Sequence, residues 1–195
     1  MKIILARHGQ TTGDIENRYG GDYDDDMTEL GQQQAAELAS RLAVYSPSLI
    51  YTSPLKRAQQ TASIVAELVG VEYQTLSGFK ERNSYGILTG LTKSEAAIHH
   101  PTEVELLKDV HNAVTGAEDY EAFKERVTKA LLMVLGHSSK GSAVVVTHGG
   151  PISTVVREIL KLGETKISDC GFLVLQGSGL SDLAIESKMG VEIRT

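Results

Sequence analysis

Ile3-Ile4-Leu5-Ala6-Arg7-His8-Gly9-Gln10-Thr11-Thr12 begins with a short apolar run and stops at a cation, an imidazole and a glycine. A β-branched run of this length reads as a buried strand, and Gly9 permits a sharp backbone turn where it ends. Arg7 and His8 thereby fall at a strand's carboxyl end, the edge of an open α/β sheet at which ligands bind. Two readings fit this segment taken alone: an anion site, or a basic pair on an ordinary strand-to-loop junction.

The same pattern recurs along the chain. Leu49-Ile50-Tyr51-Thr52 reads as a second buried strand, with Ser53 as N-cap and Pro54 at the first position of a helix that Gly70 ends. Ala58, Thr61, Ala62, Val65, Leu68 and Val69 form its inward stripe, so Arg57 lies in the first turn. The helix dipole disfavours a cation there, and a bound anion would resolve the conflict; the alternative is a side chain turned to solvent. Val71–Leu76 alternates as a third strand, and Glu81 follows it. Ala143-Val144-Val145-Val146-Thr147 is the clearest strand and ends at His148-Gly149-Gly150-Pro151, repeating the opening order of apolar run, histidine and glycine.

Helical spacing fills the intervals. Thr28 is an N-cap for a helix carrying Ala35, Leu38, Ala39 and Leu42 up to Pro47. Thr92 with Glu95 has capping-box spacing before a short helix closed by Pro101, and Thr102 with Glu105 is a candidate start for another. Phe123, Val127, Ala130, Leu131 and Val134 mark a helix from Tyr120 to Gly136, and Ile152, Val155, Val156 and Ile159 mark another. Residues 172–176 and 183–186 read as a terminal hairpin, and residues 14–26 show neither period. The expected architecture is α/β: one domain over residues 1–195, a three-layer α/β/α sandwich with a mostly parallel central sheet.

Bulk properties narrow the function. The 195 residues are 41% hydrophobic and 23% charged, with a formal net charge of −6. That balance argues against a general nucleic-acid binder. No run reaches the ~20 apolar residues of a membrane span, and Met1-Lys2 leads directly into a strand, so no membrane association and a cytoplasmic location are expected. Cys170, the only cysteine, precedes an apolar run and reads as a buried structural thiol. His99 and His100 sit at a helix end before Pro101, while His111 and His137 lie in polar segments and are expected to face solvent. Asp22, Asp24, Asp25 and Asp26 read as a solvated face, with recognition of a cationic substrate part as the alternative.

Four strand-like runs thus each deliver a polar group at or beyond a carboxyl end: Arg7 with His8, Arg57, Glu81 and His148. Two arginines and two imidazoles suit a phosphoryl group, because the planar guanidinium fork matches its oxygens and one imidazole can attack while the other donates. Glu81 suits proton transfer to and from the leaving and attacking oxygens.

These residues resemble the histidine phosphatase superfamily, in the phosphoglycerate mutase-like branch (branch 1). The likeness rests on Leu5-Ala6-Arg7-His8-Gly9-Gln10-Thr11, Arg18, Met27-Thr28-Glu29-Leu30-Gly31, Thr52-Ser53-Pro54-Leu55-Lys56-Arg57-Ala58, Glu81-Arg82 and Val146-Thr147-His148-Gly149-Gly150, in the family's order. The resemblance implies phosphoryl transfer without a metal. His8 would become phosphohistidine, Arg7, Arg57 and His148 would hold the phosphoryl oxygens, and Glu81 would be the proton donor. It further implies substrate-side positions at Asp14, Asn17, Gly21, Arg82, Lys93 and Gly149, and a small phosphorylated metabolite as partner.

The chain departs from the family in carrying Asp14 where asparagine is usual, and in placing Gly86 five residues after Glu81 rather than four. Lys93 and its surroundings look like the mutases, but the mutases' arginine pair and proline-rich insertion have no counterpart near Lys108-Asp109. Gly116-Ala117-Glu118 instead resembles the phosphatases, where it opens a helix. Hydrolysis of a small phosphomonoester, needing no cofactor, is therefore favoured. The alternatives are a mutase primed by 2,3-bisphosphoglycerate, a non-catalytic phosphate-binding module, and a metal hydrolase using His8, His148 and acidic residues, for which the spacing offers no metal motif. Oligomeric state is not legible in the sequence.

Overall fold

The computed structural model describes residues 2–109, 114–137 and 141–194; His111 lies outside them. Among the described residues, β1 (Lys2–Arg7), β2 (Pro47–Thr52), β3 (Tyr73–Thr75), β4 (Ser142–Thr147), β5 (Glu164–Gln176) and β6 (Ala184–Arg194) form one sheet in the order β3-β2-β4-β1-β5-β6. The first four strands in that order are parallel, β5 runs antiparallel to β1, and β6 antiparallel to β5.

Period-2 alternation divides the core into two layers. Ile3, Leu5 and Val145 face α6 (Tyr120–His137) and α7 (Gly149–Thr154), whereas Ile4, Ala6, Val144 and Val146 face α2 (Glu29–Leu42) and α3 (Lys56–Val69). This is the expected three-layer α/β/α arrangement. Each fully buried Ile, Leu or Val contributes about 1.5–3 kcal/mol relative to exposure. A one-residue slip of β1 would exchange the two faces, so burial fixes the register. That register pairs Arg7 with Thr147, and His8 N–H donates to the Thr147 carbonyl at 3.0 Å. The two histidines therefore leave adjacent strands side by side.

Several local expectations are corrected. α3 begins at Lys56 with Leu55 as N-cap, because Ser53 stays in the preceding turn, where its Oγ accepts from Leu55 N–H at 3.3 Å. Pro101 opens α5 (Pro101–Leu106) immediately after α4 (Lys93–His99), its missing N–H being no loss at a first helical position. The third strand is only three exposed residues at the sheet edge. The terminal hairpin is much longer than expected; an irregularity between Ile167 and Phe172 breaks the alternation that would have revealed it. α7 starts at Gly149, ahead of the periodic residues, and continues as a π-helical turn over Val155–Ile159. A one-turn helix, α1 (Thr12–Ile15), occupies part of the segment read as irregular. Thr11 and Asp14 form its capping box, a signal present in the sequence spacing.

Candidate active site

A cavity of about 330 Å3 opens where β1, β2 and β4 end. Of the predicted residues, Arg7, His8, Asp14, Gly21, Arg57, Glu81, Arg82 and Gly149 line it. His148 lies fully buried behind His8, with ring centroids 5.0 Å apart. Asn17 and Lys93 are exposed and outside the cavity wall; they meet each other through Lys93 N–H and the Asn17 carbonyl at 3.0 Å.

The hydrogen bonds of His8 specify its protonation. Nδ1 lies 2.7 Å from the Gly9 carbonyl, which can only accept, so Nδ1 carries the proton. Nε2 accepts from Arg57 Nε at 3.1 Å and therefore has its lone pair free of a proton. Burial, then the charges of Arg57 and Arg7, hold His8 well below the usual imidazole range. The result is a neutral imidazole whose unprotonated Nε2 belongs to a ring lining the cavity. The main chain is anchored too: the Cys170 N–H, in the irregular part of β5, donates to the His8 carbonyl at 3.1 Å.

Arg57 is buried, not turned to solvent, and its charge is met from inside the protein. Nη1 donates to Asp25 Oδ1 at 2.9 Å and the Tyr23 carbonyl at 2.6 Å, and Nη2 to the Gly21 carbonyl at 2.8 Å. Asp25, only 7% exposed, is thus a buried counter-ion, which corrects the reading of all four loop aspartates as a solvated face. Asp24 supplies what the helix terminus wants, accepting from Lys56 N–H at 2.7 Å.

Arg7 is held by β5, through the Ile167 carbonyl at 2.7 Å and Asp169 at 3.0 Å. Asp14 Oδ1 is 3.7 Å from Arg7, while Oδ2 accepts from the N–H and hydroxyl of Thr11, both at 2.9 Å. The unusual carboxylate is accordingly committed to a helix cap. Asp169 is pushed above the usual carboxylate range mainly by burial.

Glu81 Oε1 accepts from Arg82 N–H at 2.8 Å and Oε2 from Gly150 N–H at 3.0 Å. A Cβ at Gly150 would collide with Oε1, so glycine is what lets this carboxyl approach. Burial raises Glu81 above its ordinary value, against the downward pull of those N–H groups and of Arg57 and Arg7. That direction suits a carboxylic acid able to donate. His148 Nε2 is 2.6 Å from Ser53 Oγ, its Nδ1 is buried without a hydrogen-bond partner among the described residues, and burial holds it below the usual imidazole range.

Sequence reasoning missed Ser53, Asp25 and Asp169 as supporting groups, and Gly150 as the neighbour of Glu81. Only Gly150 had a signal, standing inside the second histidine-glycine run. Cys170 is half-buried, and burial pushes its thiol up to about 12, consistent with an unreactive group. His137 is exposed, as expected. Among the described residues no cluster of three or more His, Cys, Asp or Glu could hold a metal ion, and no helix is long and apolar enough to cross a membrane.

The sequence model of the histidine phosphatase superfamily (branch 1) matches residues 3–185. The chain belongs to that superfamily and is an enzyme of the histidine phosphatase class. Phosphoglycerate mutase-like protein 4 of Arabidopsis thaliana is 34% identical over 160 residues, covering 79% of this chain and 69% of the relative. A metal-independent phosphoserine phosphatase of Arabidopsis thaliana is 31% identical over 178 residues, covering 89% and 72%. The solved structure of mycobacterial glucosyl-3-phosphoglycerate phosphatase in complex with VO3 superposes with a TM-score of 0.82 at 25% identity, over 95% of this chain and 96% of that one.

Proposed function

We propose that residues 1–195 act as one domain that hydrolyses a small phosphomonoester through a phosphohistidine on His8, without a metal or other cofactor. Nε2 of neutral His8 attacks phosphorus as Glu81 protonates the departing oxygen. The ester O–P bond breaks and an alcohol leaves. Glu81, now a carboxylate, takes a proton from water; the water oxygen attacks the phosphohistidine, the N–P bond breaks, and orthophosphate is released. Arg7, Arg57 and His148 stabilise the phosphoryl oxygens, the electrostatic contribution that dominates such transfers. Gly21, Arg82 and Gly149, which line the cavity, would contact the rest of the substrate, with Asp14 beside Arg7, while Asn17 and Lys93, outside the wall, are given no contact with it.

The observation that carries this reading is the His8 tautomer: Nδ1–H donates to the Gly9 carbonyl, which leaves the unprotonated Nε2 as the nucleophile. Hydrolysis is favoured over mutase chemistry because Lys93, the position at which the mutases contact substrate, is exposed and outside the wall. The phosphoserine phosphatase relative supports the same direction. The mutase reading, with 2,3-bisphosphoglycerate as primer, is supported by the similarity to phosphoglycerate mutase-like protein 4.

A panel of phosphomonoesters assayed with and without 2,3-bisphosphoglycerate, and after chelation, tests the proposal. Orthophosphate release that survives chelation and exceeds any phosphoglycerate isomerisation is expected. Primer-stimulated isomerisation that outruns hydrolysis of every ester would overturn it.

A further inference from the structure

Arg126 projects from the second turn of α6, its guanidinium 4.7 Å from the Phe123 ring centroid. Its five N–H bonds all find acceptors. Nε donates to Glu118 Oε1 at 2.6 Å and Nη2 to Glu118 Oε2 at 2.8 Å, a bidentate pair. Nη1 donates to the Gly78 carbonyl at 2.9 Å and the Lys80 carbonyl at 2.7 Å, and Nη2 to the Glu81 carbonyl at 3.1 Å. The remaining carbonyl of this segment, that of Phe79, accepts from Thr147 Oγ1 at 2.7 Å. Every carbonyl from residue 78 to residue 81 is therefore held, three of the four by one side chain.

The packing requires this closeness. A Cβ on Gly78 would lie 2.6 Å from Ala130 Cβ and 3.0 Å from the Arg126 carbonyl, so the loop rests directly on α6. Glu118 secures the other flank: its N–H donates to the Asn83 carbonyl at 2.7 Å and its carbonyl accepts from Arg82 Nε at 3.0 Å. Arg126 does not line the cavity that holds His8; it lines a neighbouring one of about 390 Å3 with Glu118, Lys80 and Asp22, and Glu81 lines both. Its guanidinium N–H groups are all committed to Glu118 and to the Gly78, Lys80 and Glu81 carbonyls.

We propose that Arg126, clamped by Glu118, is a positioning residue that sets the Glu81 carboxyl for proton transfer to the leaving oxygen. The inference rests on the reading of Glu81 as general acid. It also gives Gly116-Ala117-Glu118 a task beyond opening a helix: the glutamate orients the arginine that fixes the acid.

The test compares kcat/KM on p-nitrophenyl phosphate, whose leaving group departs without a proton, and on glycerol 3-phosphate, whose alkoxide needs one. Arg126→Met is expected to lower kcat/KM on glycerol 3-phosphate by about 100-fold while p-nitrophenyl phosphate changes by less than about threefold, because displacing an acid by about 1 Å removes most of its effect. Arg126→Lys should recover part of the loss, and the near-isosteric Glu118→Gln should show the same selectivity even where Arg126→Met folds poorly. Glu81→Gln must itself be selective; equal losses on both substrates there overturn the assignment of Glu81 and this proposal with it. Selective loss in Glu81→Gln alongside equal losses, or none, in the Arg126 and Glu118 variants overturns the proposal alone.

Discussion

Arg57 Nε donates a 3.1 Å hydrogen bond to Nε2 of His8, so a buried cation rests against the nitrogen proposed to attack phosphorus. The bond is compatible only with an unprotonated Nε2. As the N–P bond forms, the same N–H can turn to a phosphoryl oxygen without leaving its place. Arg57→Met should raise the His8 pKa toward its ordinary value, followed by imidazole NMR, because after burial Arg57 is the largest influence holding it down. Loss of kcat/KM by about 100- to 1,000-fold is expected, the range for removing one preorganised donor. An unchanged His8 titration would contradict this coupling.

Asp25 is the second half of that arrangement. The Asp25–Arg57 pair is 2.9 Å apart, with side chains 5% and 4% exposed. Removing one partner from a buried pair leaves an uncompensated charge, so Asp25→Ala should destabilise the fold by about 3 kcal/mol. Chemical denaturation measures it. A change below about 1 kcal/mol, the value of an exposed pair, would show that solvent reaches this site.

Asp14 separates two roles that its position confuses. The substitution Asp14→Asn would keep a side-chain oxygen for the Thr11 cap while removing the charge 3.7 Å from Arg7. Both side chains are partly exposed, so the expected gain in orthophosphate affinity as a competitive inhibitor is only roughly two- to fivefold. Weaker inhibition would mean that the carboxylate itself assists binding.

Acid should destabilise the protein through its histidines. His8 and His148 both titrate below the usual range in the folded state, chiefly because they are buried. Their contribution to stability is complete above the unfolded value near ~6.5 and is lost as pH falls through the lower folded values. Glu81 has the opposite sign: raised by burial, it contributes below its unfolded value and loses that contribution as pH rises through the folded one. Melting temperature should therefore fall below about pH 6.5, and less steeply in His148→Gln. Equal slopes in the variant and the parent would assign the acid limb to other groups.

The sequence carried the central layer well, because β1 and β4 are buried on both faces and read as uninterrupted apolar runs. His8 and His148 were legible for the same reason: each directly follows such a run, and parallel register then brings them together. The partners of the arginines were not legible. Asp25 lies in an irregular loop and Asp169 beside a break in strand alternation, where no period shows which way a side chain points. Ser53 looked like a helix cap because Ser-Pro is a good helix start; its hydroxyl instead meets His148, a contact 95 residues away. Glu81 was legible as the polar group beyond the third strand-like run, whereas the clamp from Arg126 needs knowledge that α6 passes beneath its loop.

The central claim is covalent transfer to His8. Brief incubation with a 32P-labelled phosphomonoester, followed by denaturation in base, should leave a label on the protein that is stable to alkali, released by acid and absent from His8→Ala. A label that persists in His8→Ala, or none in a parent enzyme that turns the same ester over under rapid quench, would contradict the account.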